Sequence, residues 1–212
     1  MGNIFIPFIL SLFLSLILTP LVKKLAIKVG AVDVPKDDRR VHEKPMPSMG
    51  GLAIYISVII TSLIFLPIDK TLISIIIGGT VIVIGGIIDD IRELSPRMKF
   101  LFQIIGALVL VIGDVRIDAI TNPFTKTSNL INLGIFSIPL TMFWIVGITN
   151  TLNFIDGLDG LAAGVAMISS LSFLATASKF NYIPVIIMSS IIAGSCLGFL
   201  PYNFNPAKIF MG

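Results

Sequence analysis

Charge is scarce along this chain. Only 13% of its 212 residues are Asp, Glu, Lys or Arg, about half the share of an average soluble domain. Cysteine occurs once, as Cys196 inside an apolar stretch, which excludes a disulfide within the chain. Histidine also occurs once, as His42. The N-terminus, Met1-Gly2-Asn3, has no basic cluster and no small-residue cleavage site follows the first apolar stretch, so it reads as an uncleaved anchor rather than a signal peptide. There is no low-complexity linker and no clear internal repeat, which argues for one membrane-embedded domain over residues 1–212. The net charge of +3 and isoelectric point near 9.1 bear on membrane topology rather than on nucleic acid.

What fills the space between charges is apolar, with a mean hydropathy of +1.00. Seven uncharged runs cover 1–22, 45–68, 71–88, 100–113, 127–155, 160–178 and 180–207. A bilayer core about 30 Å thick takes roughly 20 apolar residues per helix, so six of the seven runs suffice. The fourth, Phe100–Gly113, spans only if Lys99 snorkels and the residues beyond Asp114 complete it. Backbone in hydrocarbon must satisfy its own hydrogen bonds, and the runs lack the alternation of a barrel strand. The expected fold is therefore all-α, a polytopic bundle of about seven spans with its N-terminus outside. That arrangement leaves 11 Lys and Arg inside and four outside, namely Lys70, Arg116, Lys126 and Lys179, as basic residues favour the cytoplasmic side. If the fourth run does not cross, the count becomes 13 to 2, so charge alone leaves both topologies open. Asp114–Asn132 has room for a short hairpin, and Gly78-Gly79, Gly85-Gly86 and Gly160–Gly164 suit close helix contacts.

The sparse charges are grouped. Asp89-Asp90 closes the third run, and two adjacent carboxylates at a membrane boundary call for a cation, a proton or a metal unless they simply face water. Magnesium takes oxygen ligands and bridges one or two carboxylates to phosphates. A second cluster, Asn153-Phe-Ile-Asp156-Gly-Leu-Asp159-Gly160, places polar side chains three apart beside glycines that let backbone approach a ligand. Helix capping explains Asp156 or Asp159 alone, but not both together with Asn153. Lys99 suits either snorkelling or phosphate binding. Arg39, Arg40, His42 and Lys44 crowd one loop, as positive-inside bias alone allows.

Taken in order, these pieces resemble the polyprenyl-phosphate N-acetylhexosamine-1-phosphate transferases. The matching residues are Val32-Asp33-Val-Pro35 with Arg40-Val-His42-x-Lys44-Pro-x-Pro-Ser48-x-Gly50-Gly51, then Gly86-x-x-Asp89-Asp90, Lys99, Asn150-x-x-Asn153-Phe-Ile-Asp156-Gly-Leu-Asp159-Gly, and Asn203-x-x-Pro206-Ala-Lys-x-Phe210-Met211-Gly212. The resemblance implies Mg²⁺, with Mn²⁺ as an alternative, and transfer of a sugar 1-phosphate from a UDP-sugar to undecaprenyl phosphate with release of UMP. It implies that Asp89 and Asp90 are catalytic and bind metal with Asn153. Lys44, Ser48, Lys99, Asp156, Asp159 and Asn203 would contact substrate. It also implies one cytoplasmic site on a multi-pass plasma-membrane protein, which favours the seven-span topology, and it is compatible with a homodimer. In that family an aspartate that ligates the metal follows Phe-Met-Gly, and further helices and a His- and Arg-containing loop come after it. This sequence stops at Gly212, and is expected to be about two-thirds of a full-length enzyme. The Asn153-Phe-Ile-Asp156 element and the His42–Pro47 loop look closer to the UDP-N-acetylglucosamine branch than to the muramoyl-pentapeptide branch. An ion-coupled transporter is the reading from another class, but it predicts carboxylates near mid-membrane. A membrane prenyltransferase would need an Asp-x-x-x-Asp spacing that Asp90-Ile-Arg-Glu93 does not supply. A purely structural membrane protein gives no reason for the grouped charges.

Overall fold

A computed structural model describes residues 4–33, 45–122 and 129–212. Among them are seven α-helices: α1 (Phe5–Val29), α2 (Gly50–Phe65), α3 (Lys70–Arg92), α4 (Pro96–Ile112), α5 (Ser137–Ile155), α6 (Leu161–Lys179) and α7 (Ile183–Asn203). Each grows from one of the seven uncharged runs. Five helical segments are long and apolar enough to cross a membrane, α5 among them together with the 3-10 turn Gly134–Phe136 that precedes it. α2 is a shorter apolar helix of 16 residues, and α4 has 17. The fold is thus all-α and the chain is a multi-pass membrane protein. Contacts gather in two compact units, one of Met1–Pro67, Gly86–Leu94 and Leu152–Gly212, the other of Ile68–Gly85 and Ser95–Thr151.

In the first unit α1 lies along α7. The buried residues of α1 are Pro7, Ser11, Ser15, Thr19, Val22 and Ala26, mostly four apart, which gathers the small side chains on one ridge. α7 answers with Ser190, Gly194 and Gly198 at the same interval. A Cβ on Gly194 would collide with the carbonyl of Phe8, and one on Gly198 with the carbonyl of Leu12. The two helices therefore run parallel with backbone against backbone. Lipid is as apolar as leucine, so such packing, rather than a hydrophobic force, holds membrane helices together. α2 joins the seam through Ser57, whose hydroxyl donates to Ser195 Oγ at 2.7 Å. At one end an apolar cluster of Val22, Ala26, Ala31, Met49, Ala53, Ala163, Phe199 and Ile209 closes the unit.

In the second unit α3 and α4 are antiparallel, with Gly78 set 2.8 Å from the Gly106 carbonyl (measured to a Cβ built on Gly78) and Gly85 against the Phe102 side chain. Gln103 of α4 pairs with Asn150 of α5, the Asn150 amide donating to Gln103 Oε1 at 2.6 Å. The expected hairpin is present: β3 (Ala119–Thr121) pairs antiparallel with β4 (Leu130–Asn132), Ile120 opposite Ile131. Lys70, Asp114 and Arg116 form an exposed ion-pair chain at the start of α3.

Of the glycines expected at helix contacts, Gly78 and Gly85 meet α4, whereas nothing lies within 4 Å of a Cβ on Gly86 or Gly164. The closest approach to a neighbouring backbone is at Gly194 and Gly198. Gly198→Val should lower stability by about 1–3 kcal/mol, the usual cost of overpacking. Gly147→Ala, where a Cβ meets nothing within 4 Å, should leave stability unchanged or raise it by up to about 1 kcal/mol. Thermal unfolding in detergent checks both, and equal melting temperatures for the two variants would refute the close contact.

Candidate active site

Both α1 and α7 lead into the same cluster of loops. α1 ends at Gly30, whose left-handed φ of 81° turns the chain into β1 (Val32–Asp33), which pairs with β2 (Met46–Pro47). The Ser48 amide donates to Ala31 O at 3.0 Å. Met49 then takes a left-handed φ of 91° and α2 begins with no side-chain cap. Helix starts leave N–H groups unpaired, and here carbonyls of the chain end receive two of them: Gly50 N–H donates to Phe210 O at 2.9 Å, and Gly51 N–H to Met211 O at 2.7 Å. Phe210 N–H returns a bond to Pro47 O. Only glycine fits at position 50, since a Cβ would fall 2.5 Å from the buried Phe199 ring and 2.6 Å from Phe210 O.

This pairing brings two pieces of chain to the end of α3. Ser48 Oγ donates to Asp90 Oδ1 at 2.9 Å, and a Cβ on Gly212 would lie 2.5 Å from Asp90 Oδ2. Successive helical residues point about 100° apart, so Asp89 and Asp90 do not share one direction. Asp89 Oδ1 accepts the Leu94 N–H at 2.8 Å, beyond the end of α3, while Asp90 meets Ser48 and Gly212.

The second cluster lies where α5 gives way to α6. Asn153 is exposed in the last turn of α5. Asp156, one residue past that helix, is half-buried, and burial together with the Asp90 carboxylate pushes its pKa up to about 7. Neither Asp156 nor Asp159 caps α6; Gly160 holds that position with φ 73°. Asp159 Oδ2 accepts the Ala207 N–H at 2.9 Å and the Asn205 amide at 3.2 Å. Asn203, buried to 2% exposure, accepts from Gly160 N–H at 3.1 Å and donates to Ile209 O at 3.0 Å.

The structure thus gathers Ser48, Asp90, Asp156 and Gly212 in one place, with Asp159 and Asn203 spent on backbone close by. Lys99 belongs to the other unit, in the first turn of α4, and Lys44 lies outside the described residues. What the side-chain pattern did not reveal is the strand-like docking of Phe210–Met211 on Gly50-Gly51. Its one sequence signal is the double glycine at the start of an apolar run.

An acid whose native pKa is raised binds more protons folded than unfolded, so stability falls as pH climbs from 3.8 to about 7 and then levels off. Asp156→Asn should therefore stabilise the metal-free protein by about 1–3 kcal/mol at pH 8, allowing for the solvent that still reaches the group. The gain should vanish near pH 4. Thermal unfolding across that range checks it, and a pH-independent gain would refute the coupling.

Comparison with known proteins follows the same geography. A family model described as glycosyl transferase family 4 matches residues 72–212. A probable undecaprenyl-phosphate N-acetylglucosaminyl 1-phosphate transferase of Bacillus subtilis (strain 168) is 45% identical over 215 residues, covering 100% of this chain and 59% of that protein. A decaprenyl-phosphate N-acetylglucosaminephosphotransferase of Mycolicibacterium smegmatis is 37% identical, with 90% of this chain and 51% of its own length covered. A phospho-N-acetylmuramoyl-pentapeptide-transferase of Thermoanaerobacter sp. (strain X514) is 36% identical, with 98% and 68% covered. The chain spans 51–68% of the length of these relatives. With two-thirds of its residues inside the family match and its acidic helix ends, Ser48 and Gly212 gathered as described, the chain belongs to glycosyl transferase family 4.

Proposed function

We propose that this chain forms the catalytic floor of a membrane phosphotransferase that moves N-acetylglucosamine 1-phosphate from its UDP-sugar to undecaprenyl phosphate, releasing UMP. The observation that carries the reading is Asp90, gripped by Ser48 with Asp156 beside it, at the end of a membrane helix in a chain of this family. The names of the similar proteins point to a polyprenyl phosphate acceptor and an N-acetylglucosamine donor.

The reaction joins two anionic substrates, and catalysis of such transfers is positioning plus charge stabilisation. The donors near Asp90 are hard oxygens, and among the described residues no three His, Cys, Asp or Glu side chains converge as a metal cage. That set suits magnesium, which takes one or two carboxylates and completes its shell with water and phosphate. Asp90 and Asp156 would hold it, with Asn153 as a further oxygen donor and Asp89 one residue before Asp90 on α3. When bound, the ion neutralises charge on the diphosphate. Ser48 fixes the rotamer of Asp90 by donating to Oδ1, which directs Oδ2 to the Gly212 side. Asp156, carrying its proton near neutrality, is ready to exchange that proton for a cation. A phosphate monoester loses its second proton near pH 6, so orienting the lipid phosphate matters more here than deprotonating it. Lys99 and Lys44 are the proposed phosphate contacts. The seven-span topology, with its 11 Lys and Arg inside to four outside, supports a site on the cytoplasmic face.

In membranes carrying the full gene product, UMP release from UDP-N-acetylglucosamine with undecaprenyl phosphate should need added Mg²⁺. Asp90→Asn should cost at least about 100-fold in kcat, the scale of removing a charge-stabilising group. Ser48→Ala should cost about tenfold, the scale of one charge-assisted hydrogen bond. Near-normal turnover by Asp90→Asn would sink the assignment. Faster release from UDP-muramoyl-pentapeptide would move the chain to the branch represented by the Thermoanaerobacter relative.

A further inference from the structure

The chain passes from strand to helix in a very short joint between β2 and α2. Met49 makes the turn, with φ 91° and ψ 11°. That left-handed backbone favours glycine, because a Cβ crowds the following carbonyl. The other non-glycine residues with positive φ among those described are Glu93 at 47°, Asp114 at 64° and Asn181 at 55°. Asp and Asn tolerate this region. Met49 departs furthest from the ordinary range and is the apolar one of the four. Glycines do follow, but at 50 and 51, while the position that needs the left-handed turn carries a long side chain.

A strained residue persists only where its surroundings over-determine it, and here they do. The Met49 side chain is 4% exposed, inside the apolar cluster with Val22 and Ala26 of α1, Ala53 of α2 and Phe199 of α7. Removing that apolar surface from water offsets the strain. The backbone is held on both sides as well: Ser48 N–H donates to Ala31 O before the turn, and Leu52 N–H donates to Met49 O after it. From 49 to 51 the chain has no other side chain, so a glycine at 49 would leave three in a row. Ser48 stands immediately before this joint, and its hydroxyl reaches Asp90 Oδ1 at 2.9 Å.

We propose that Met49 is a positioning residue: its side chain, anchored in the apolar cluster, locks the left-handed turn that aims the Ser48 hydroxyl at Asp90. The part that concerns turnover rests on the transferase reading above; the lock itself does not. Strain and anchorage explain each other here. Glycine would adopt the turn without strain but would not hold it, whereas a buried methionine holds it.

Three substitutions and a double-mutant cycle on the full gene product test the lock. Met49→Ala removes the anchor and keeps the strain, Met49→Gly removes both, and Met49→Leu keeps an apolar anchor of similar volume. In detergent, Met49→Gly should melt above Met49→Ala, the reverse of the order at an ordinary position, with Met49→Leu nearest the wild type. Despite that difference in stability, the alanine and glycine variants should lose kcat about equally, by roughly tenfold, the scale of the lost Ser48 bond. Met49→Leu should restore most of it. Ser48→Ala should lower the melting temperature of the wild type but hardly change that of Met49→Gly, where the hydroxyl is no longer held on Asp90. In kcat the same step should cost about tenfold in the wild type and less than about twofold in Met49→Gly. Equal effects of Ser48→Ala in both backgrounds, or a Met49→Ala variant that melts above Met49→Gly, would overturn the lock. Coupling in melting temperature without coupling in kcat would overturn the positioning role. If the wild-type protein releases no UMP, the melting cycle still decides on the lock, while the transferase reading fails separately.

Discussion

Between α1 and α7 the backbone itself is the contact surface. Hydrocarbon gives two apolar helices no reason to associate, so the pair holds through the close fit of Gly194 and Gly198 on the carbonyls of Phe8 and Leu12, with Ser and Thr hydroxyls turned inward. The rest of the first unit depends on that fit. Because the helices run parallel, their C-termini emerge at one end. From α1 comes the strand that leads to Ser48, and from α7 comes the segment that leads to Gly212. Asp90 receives both. A slip of one turn along the seam, about 5.4 Å, would separate Ser48 from Gly212 altogether.

The site makes use of the angular spacing of a helix. Adjacent aspartates diverge, so one ties off the helix by accepting Leu94 N–H and the other faces the loops. Across the cluster Asp156 is driven toward its neutral form by burial and by Asp90. Concentrated negative potential of this kind is costly to fold and suited to a divalent ion that arrives with phosphate. Ser48 restrains Asp90 with a neutral hydroxyl.

The helices were legible in the sequence because their signal is additive. Twenty apolar residues in a row outweigh any local detail, and each of the seven runs became one helix, including the short Phe100–Gly113 run, which is extended at its start by Pro96–Lys99. The hairpin at Ala119–Asn132 was legible from its polarity. The α1–α7 seam was not, since small residues every fourth position are hard to see inside uniformly apolar stretches. At the site, Asp89-Asp90 stood out as paired carboxylates at a membrane boundary and Asp156 as part of a polar cluster beside glycines, while Ser48 came only with the family resemblance. Asp159 and Asn203 stood out equally, yet apart from the Asn205 amide their partners are backbone atoms of Ala207, Gly160 and Ile209. No pattern of side chains records which backbone a carboxylate holds.

That reliance on backbone has an evolutionary side. The segment from Phe204 to Met211 docks mainly through its own N–H and C=O groups, which every residue except proline carries alike. Some of its side chains are held as well, Ile209 in the apolar cluster and Asn205 on Asp159, but its length is held most strictly. One residue inserted or deleted between Asn203 and Gly212 shifts every carbonyl out of register with Gly50 and Gly51. The segment acts as a molecular ruler, and among related sequences its spacing should be kept.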